Sequence, residues 1–276
     1  MTTERISAAP VAGGWPRRAG RRLLRWLPAL ILPLVGLVVW QLACWAFSPR
    51  EWLLPSPFDI AGSLWDDRST LWFNARATIR ETLVGLTLAT VLGLGLAIAM
   101  AALRTVDRIA GPWVVASQTL PVIALAPFFG IWLDYGPAQV MTAALISFFP
   151  IVVTGIDGLR GVDPTLSESA RTLGAGRFWV WRRITFPGAM PSLFSGLKLA
   201  AVFAVTGAIV AEYIGADRGL GYLTRIATSQ FETSLAFAAV FWLGAIGFAL
   251  YLIVGGIERL ALPYRHRPTR PDWRHR

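Results

Sequence analysis

Six stretches of about twenty or more residues carry no charge, or a single one. No other feature constrains this chain as strongly. The uncharged runs are Leu27–Ser48, Thr82–Leu103, Ile109–Leu133, Tyr135–Ile156 and Thr233–Ile257; the sixth, Pro187–Ala211, holds only Lys198. About 20 apolar residues of helix cross a bilayer, so each run has the length of a membrane span. The spacing predicts an all-α membrane protein with six transmembrane helices. The long stem of Lys198, the only lysine, is expected to snorkel to the interface. Composition agrees: 15% of residues are charged and mean hydropathy is +0.54, whereas soluble domains average about 25% charged.

The net charge of +10 excludes neither nucleic acid nor membrane by itself, but the arginines flank the apolar runs. That is a topology signal, not a nucleic-acid stripe. With the N-terminus inside, inner segments hold Arg17, Arg18, Arg21, Arg22 and Arg25, then Arg104 and Arg108, Arg160 to Arg183, and the basic tail. Outer segments hold only Arg50, Arg68, Arg76, Arg80, Arg218 and Arg225, a bias of about three to one. Both termini are therefore expected in the cytoplasm. The expected organisation is a basic N-terminal segment (1–26), a six-span domain (27–262) and a basic tail (263–276). The first run is too long for a signal peptide and no small-residue cleavage site follows it. "QLAC" at Gln41–Cys44 lacks the aliphatic residue of a lipoprotein site, so Cys44 is read as a buried core cysteine. One cysteine, and two histidines confined to the tail, leave no metal or nucleophile–histidine–acid set in the membrane.

Local signals refine the picture. Ser56-Pro57 with Asp59 predicts the start of a short helix in the first outer loop. Gly85, Ala89, Gly93, Ala97 and Ala101 form a small-residue stripe suited to close helix packing. Pro112, Pro121 and Pro127 predict kinks in the third span. Beside them, Ser117, Gln118 and Thr119 are candidates to line a path, or equally to hydrogen-bond between helices. Glu212, at the outer end of the fifth span, is a candidate outer gate or a solvated helix end. Asp134, in the short turn before the fourth span, is expected to be solvated.

The polar stretch between spans four and five, residues 160–187, carries the most information. Asp163-Pro164 predicts a helix start, Leu166, Ala170 and Leu173 share one face, and Gly174 suits a left-handed helix stop. A second short helix, from Arg177 to Thr185, is expected to end at Phe186-Pro187, because the residue before proline avoids helix. Two short amphipathic helices around a glycine turn suit docking to a soluble partner.

Glu168-Ser169-Ala170, then Gly174, then Ile184-Thr185-Phe186-Pro187 resembles the "EAA" loop of bacterial ABC importer permeases: Glu-Ala-Ala, three residues, Gly, nine residues, Ile-x-Leu-Pro. Ser169 and Phe186 are mild departures. The resemblance implies a type I importer permease of the cytoplasmic membrane, working as a dimer of two permease copies. Its loop would dock on a separate ATPase that binds ATP and magnesium, and an extracytoplasmic binding protein would deliver the solute. "SQTLPVIALAPFFGIW", "FFPIVVTGIDGL" and "AEYIGADRGLGYL" are similar to the nitrate, sulfonate and taurine branch, which includes importers of the hydroxymethylpyrimidine precursor of thiamine. The chain has no P-loop of its own, since Lys198 sits between two leucines. The rival class is a secondary transporter or channel, which commonly carries ionisable groups at mid-membrane.

Overall fold

The computed structural model describes residues 18–134 and 136–263, with side chains from residue 31 onward. The basic N-terminal residues, Tyr135 and the tail with His266 and His275 lie outside the described residues. All regular structure among the described residues is helical.

The chain divides into two units, residues 1–59 and 60–276. The first contains α1 (Arg18–Phe47), a single 30-residue helix. Most of its apolar side chains from Ile31 to Phe47 are exposed, as a lipid-facing helix requires, while Gln41 and Cys44 are buried. The start of α2 (Pro57–Asp66) is capped as its sequence predicts. The Asp59 amide donates to Ser56 Oγ at 3.2 Å, and the Ser56 amide donates to Asp59 Oδ2 at 2.9 Å. This reciprocal pair satisfies a donor that the first helical turn leaves open.

The second unit is a bundle built on α3 (Arg68–Ala102), α6 (Pro137–Arg160), α9 (Phe186–Gly215) and α11 (Thr233–Ala261). Helix α6 is the central member, packed between α3 and α9, with α11 on the far side of α9. Small residues make this packing possible. Gly85, Ala89, Gly93 and Ala97 of α3 are buried, and Ala101 is half-buried. A methyl group added at Gly85 would lie 2.7 Å from Ala143 Cβ; one added at Gly207 of α9 would lie 2.7 Å from Ala143 Cα. Ala143 is thus wedged between two glycines on opposite neighbours. In lipid no hydrophobic force draws helices together, so close backbone contact and its dispersion energy must do so.

Among the described residues, four helices are long and apolar enough to cross a membrane, and a bent pair, α4 (Arg104–Thr119) with α5 (Val122–Trp132), makes up to five. The third apolar run is therefore not one straight span: its two halves meet at 99°. Leu120-Pro121 is the cause. Both residues are extended, and Pro121 offers no N–H to continue α4. Arg160 braces the end of the bundle nearest this pair, with Nη2 2.8 Å from Asp107 Oδ2 of α4 and 3.3 Å from the Met100 carbonyl of α3.

One expectation needs correction. The helix does not break at Phe186-Pro187. Short helix α8 (Arg177–Val180) runs through a π turn (Trp181–Thr185) into α9, one helical stretch of 39 residues. The Phe186 amide bonds to the Trp181 carbonyl, five residues back. The wider turn accommodates Pro187, which has no N–H to give and whose ring crowds a normal α turn. Lys198 is half-buried. Its ammonium is paired with the Glu258 carboxylate of α11 and lies 5.9 Å from the Tyr251 ring centre. A half-buried cation beside a buried carboxylate gains from the pairing, and Glu258 supplies that carboxylate.

The Ala143 contact predicts a sharp mutational contrast. Gly207→Val should destabilise the protein by about 2 kcal/mol or more, because the backbone of α6 cannot yield. Gly244→Val, which meets nothing within 4 Å, should leave stability unchanged within about 0.5 kcal/mol. Thermal unfolding of both variants in detergent checks this; equal melting would refute the tight-contact account.

Candidate functional site

Three regions hold the residues singled out above. The first is the loop from Arg160 to Pro187. Asp163 Oδ1 accepts from the Thr165 amide at 2.9 Å and the Thr165 hydroxyl at 2.7 Å, opening α7 (Pro164–Thr172). These bonds hold the Asp163 carboxyl below its ordinary range. Helix α7 buries none of its residues. It stops at Gly174, whose φ is +89°. The Gly174 amide bonds to the Arg171 carbonyl at 2.9 Å and the Ala175 amide to the Ala170 carbonyl at 3.0 Å. This paired closure is the Schellman stop, and its positive φ is why glycine stands there.

The reversed chain then enters α8, which packs back on α7. Phe178 stacks on Trp181 with ring centres 6.2 Å apart, and Trp181 meets Phe186 at 5.4 Å. These rings tie the loop to the start of α9. Glu168 and Ser169 are exposed, Ala170, Ile184 and Pro187 are half-buried, and Arg182 and Arg183 point to solvent. Leu173 is 88% exposed and Phe178 69%. The loop is thus rigid by its hydrogen bonds yet presents uncovered apolar side chains.

The second region is the break between α4 and α5. The Ser117 hydroxyl donates to the Val114 carbonyl at 2.7 Å and that of Thr119 to the Ala116 carbonyl at 2.8 Å. Both therefore serve the last turn of their own helix and not a neighbouring one. Gln118 is exposed. Pro121 sits at the corner itself.

The third region surrounds Glu212, and here the solvated-end alternative fails. Glu212 is fully buried. It belongs to a clamp on the N-terminus of α10 (Leu220–Ser229). The Gly219 amide donates to Asn74 Oδ1 at 2.9 Å, the Leu220 amide to Thr78 Oγ1 at 2.9 Å and the Gly221 amide to Glu212 Oε2 at 2.7 Å. Helix starts leave such amides open, and the positive end of a helix favours a carboxylate. Three side chains from two long helices thus pin α10 to α3 and α9. Glu81 is also buried, with its carboxyl beside that of Glu212. Asn74, Thr78 and Glu81 are absent from the sequence-based set. Their signal was there: polar residues at i, i+4 and i+7 mark one face of a helix. They precede the uncharged run and pass for its solvated approach. Asp134, by contrast, is exposed as expected. Among the described residues no three His, Cys, Asp or Glu side chains gather to hold a metal.

Comparison with known proteins identifies this architecture. Residues 89–263 match the family model "Binding-protein-dependent transport system inner membrane component". The formylaminopyrimidine transport permease protein ThiX of Halalkalibacterium halodurans is 36% identical over 85% of this chain and 94% of its own. The riboflavin transport system permease protein RibX of Chloroflexus aurantiacus is 36% identical over 91% of this chain and 96% of its own. The taurine transport system permease protein TauC of Escherichia coli is 27% identical over 78% and 79% respectively. Among solved structures, a chain of the MetNI methionine ABC transporter in an inward facing conformation superposes with a TM-score of 0.59 at 18% identity, covering 71% of this chain and 96% of its own. A chain of an amino acid ABC transporter solved with histidines gives 0.58 at 20%, covering 73% and 97%. At that identity the structures show a shared fold. In this family the permease has no cofactor of its own, and ATP hydrolysis belongs to a separate subunit. The chain belongs to the binding-protein-dependent inner-membrane permeases of ABC importers, and it is a transport subunit, not an enzyme.

Proposed function

We propose that this chain is the six-span permease subunit of an ATP-driven importer in a bacterial cytoplasmic membrane, with both termini cytoplasmic. Two copies enclose the path, and an ATPase dimer binds the loops through Glu168, Ser169, Ala170, Gly174, Ile184 and Pro187. An extracytoplasmic binding protein delivers the solute to the opposite face. The observation that carries this reading is the rigid loop with Leu173 and Phe178 uncovered, continuous through the π turn with α9. ATP-driven approach of the two ATPases moves this loop, and α9 transmits the movement as a rigid body. Ser117, Gln118, Thr119 and Pro121, at the corner between α4 and α5, line the path. Glu212 acts as outer gate by holding α10 in place.

The solute is a small organic or anionic molecule: a sulfonate, taurine, nitrate or a pyrimidine precursor of thiamine. The relatives named for formylaminopyrimidine and riboflavin, each 36% identical against 27% for the taurine permease, support a vitamin-type heterocycle.

Topology is checked first, on a background with Cys44 replaced. A cysteine at Ser63 should react with an impermeant reagent from outside, and one at Gly176 only after permeabilisation; the opposite pattern overturns the six-span map. For the path, Gln118→Leu should lower uptake at least several-fold while the complex with the ATPase assembles normally. Unchanged uptake would make Gln118 a bystander. For coupling, Gly174→Val forces a side chain into a left-handed conformation at a cost of roughly 1–2 kcal/mol. Glu168→Lys reverses the charge offered to the ATPase. Each variant should insert at wild-type levels yet lose most co-purification with the ATPase and most solute-stimulated ATP hydrolysis in vesicles. Full association and uptake in both would reduce the loop to a connector.

A further inference from the structure

A cavity of about 610 Å³ opens where α3, the start of α6 and the approach to α10 meet. Arg76, Arg80 and Arg218 line it, with Phe73 and Val140 among its apolar walls. Arg76 and Arg80 stand one helical turn apart on α3, a spacing at which like charges repel. Arg76 lies over the Trp72 ring at 5.7 Å, and Arg218 Nε reaches Asp217 only at 3.8 Å, both side chains of that pair being more than half exposed. The single acidic residue in the lining, Glu81, is buried with its carboxyl beside Glu212. Three arginines therefore line one concavity against a single acidic residue, Glu81, which faces Arg80 and Arg218 as well as Glu212. Half of the six arginines that the charge bias assigns to the outer side gather here, against the usual depletion of cations on that side.

We infer that this cavity is a binding site for a tetrahedral oxyanion group, a phosphate, sulfate or sulfonate, carried on an organic body. The guanidinium fork matches two oxygens of such a group at once, and low-dielectric walls strengthen the field of clustered cations. The cavity is much larger than a bare sulfate, and Phe73 and Val140 offer apolar surface to the remainder of the ligand. An anionic lipid headgroup and a soluble organic oxyanion share this chemistry. The site rests on the geometry of this chain alone, and its test needs neither ATPase nor transport.

The purified full-length protein in neutral detergent is titrated calorimetrically with butyl sulfonate, with dihexanoyl phosphatidylglycerol and with dihexanoyl phosphatidylcholine. The expected result is saturable binding of an anionic probe, about one per chain, and none of phosphatidylcholine. Arg80→Gln and Arg218→Gln should each weaken it at least tenfold without altering thermal unfolding. Arg80→Lys, which keeps the charge and loses the fork, should fall between, and Arg108→Gln should bind as wild type. Binding of phosphatidylglycerol alone assigns the site to a lipid headgroup; binding of butyl sulfonate with the same arginine dependence assigns it to a soluble oxyanion. If neither probe saturates, or if the triple variant Arg76→Gln/Arg80→Gln/Arg218→Gln binds as wild type, the site does not exist.

Discussion

Everything in the bundle depends on how closely α6 approaches its two neighbours at Ala143. There is room for one methyl group between Gly85 of α3 and Gly207 of α9, and for nothing more. In water such a junction would be one contact among many, because burial of apolar area would hold the helices anyway. In lipid the tails solvate leucine as well as another helix does, so affinity comes from fit. The same logic explains why Gly85, Ala89, Gly93 and Ala97 lie on the buried face of α3 while Leu83, Val84, Val91 and Leu92 face outward.

Helix α9 links the two ends of this rigid centre. At one end the Glu212 carboxylate, with Asn74 and Thr78, completes the open amides of α10. At the other, the π turn and the Phe178, Trp181 and Phe186 rings carry the helix into the exposed loop. Thirty residues of α helix span about 45 Å. A displacement at the loop therefore has a continuous helical route to the clamp. Lys198 and Glu258 add a cross-tie from α9 to α11 along the way.

Where sequence reading succeeded, the signal was local. Gly174 was legible because a left-handed stop needs only one residue and its neighbours. Asp163-Pro164 and Ser56-Pro57 were legible because a cap is a contact across two or three positions. The small-residue stripe on α3 showed which face packs, although not against which helix. Where reading fell short, the deciding partner was distant in the chain. Pro187 reads as a helix breaker, yet a π turn absorbs it. The partner of Lys198, Glu258, lies sixty residues on. Glu212 was placed among the candidates, but its burial rests on Asn74, Thr78 and Glu81, which lie more than 130 positions earlier.

The sequence by itself determined the class of solvent, the helical content, the loop with its caps and, through that loop's spacing, the family. Each of these follows from hydrophobic length, charge placement or turn chemistry, properties that act over a few residues. Tertiary structure alone decided that the third apolar run bends by 99°, that α6 is the central helix, and that three amides of α10 close on side chains from two other helices. It also decided that Arg76, Arg80 and Arg218 share one cavity. These are meetings between distant segments, and no local periodicity records which segments meet.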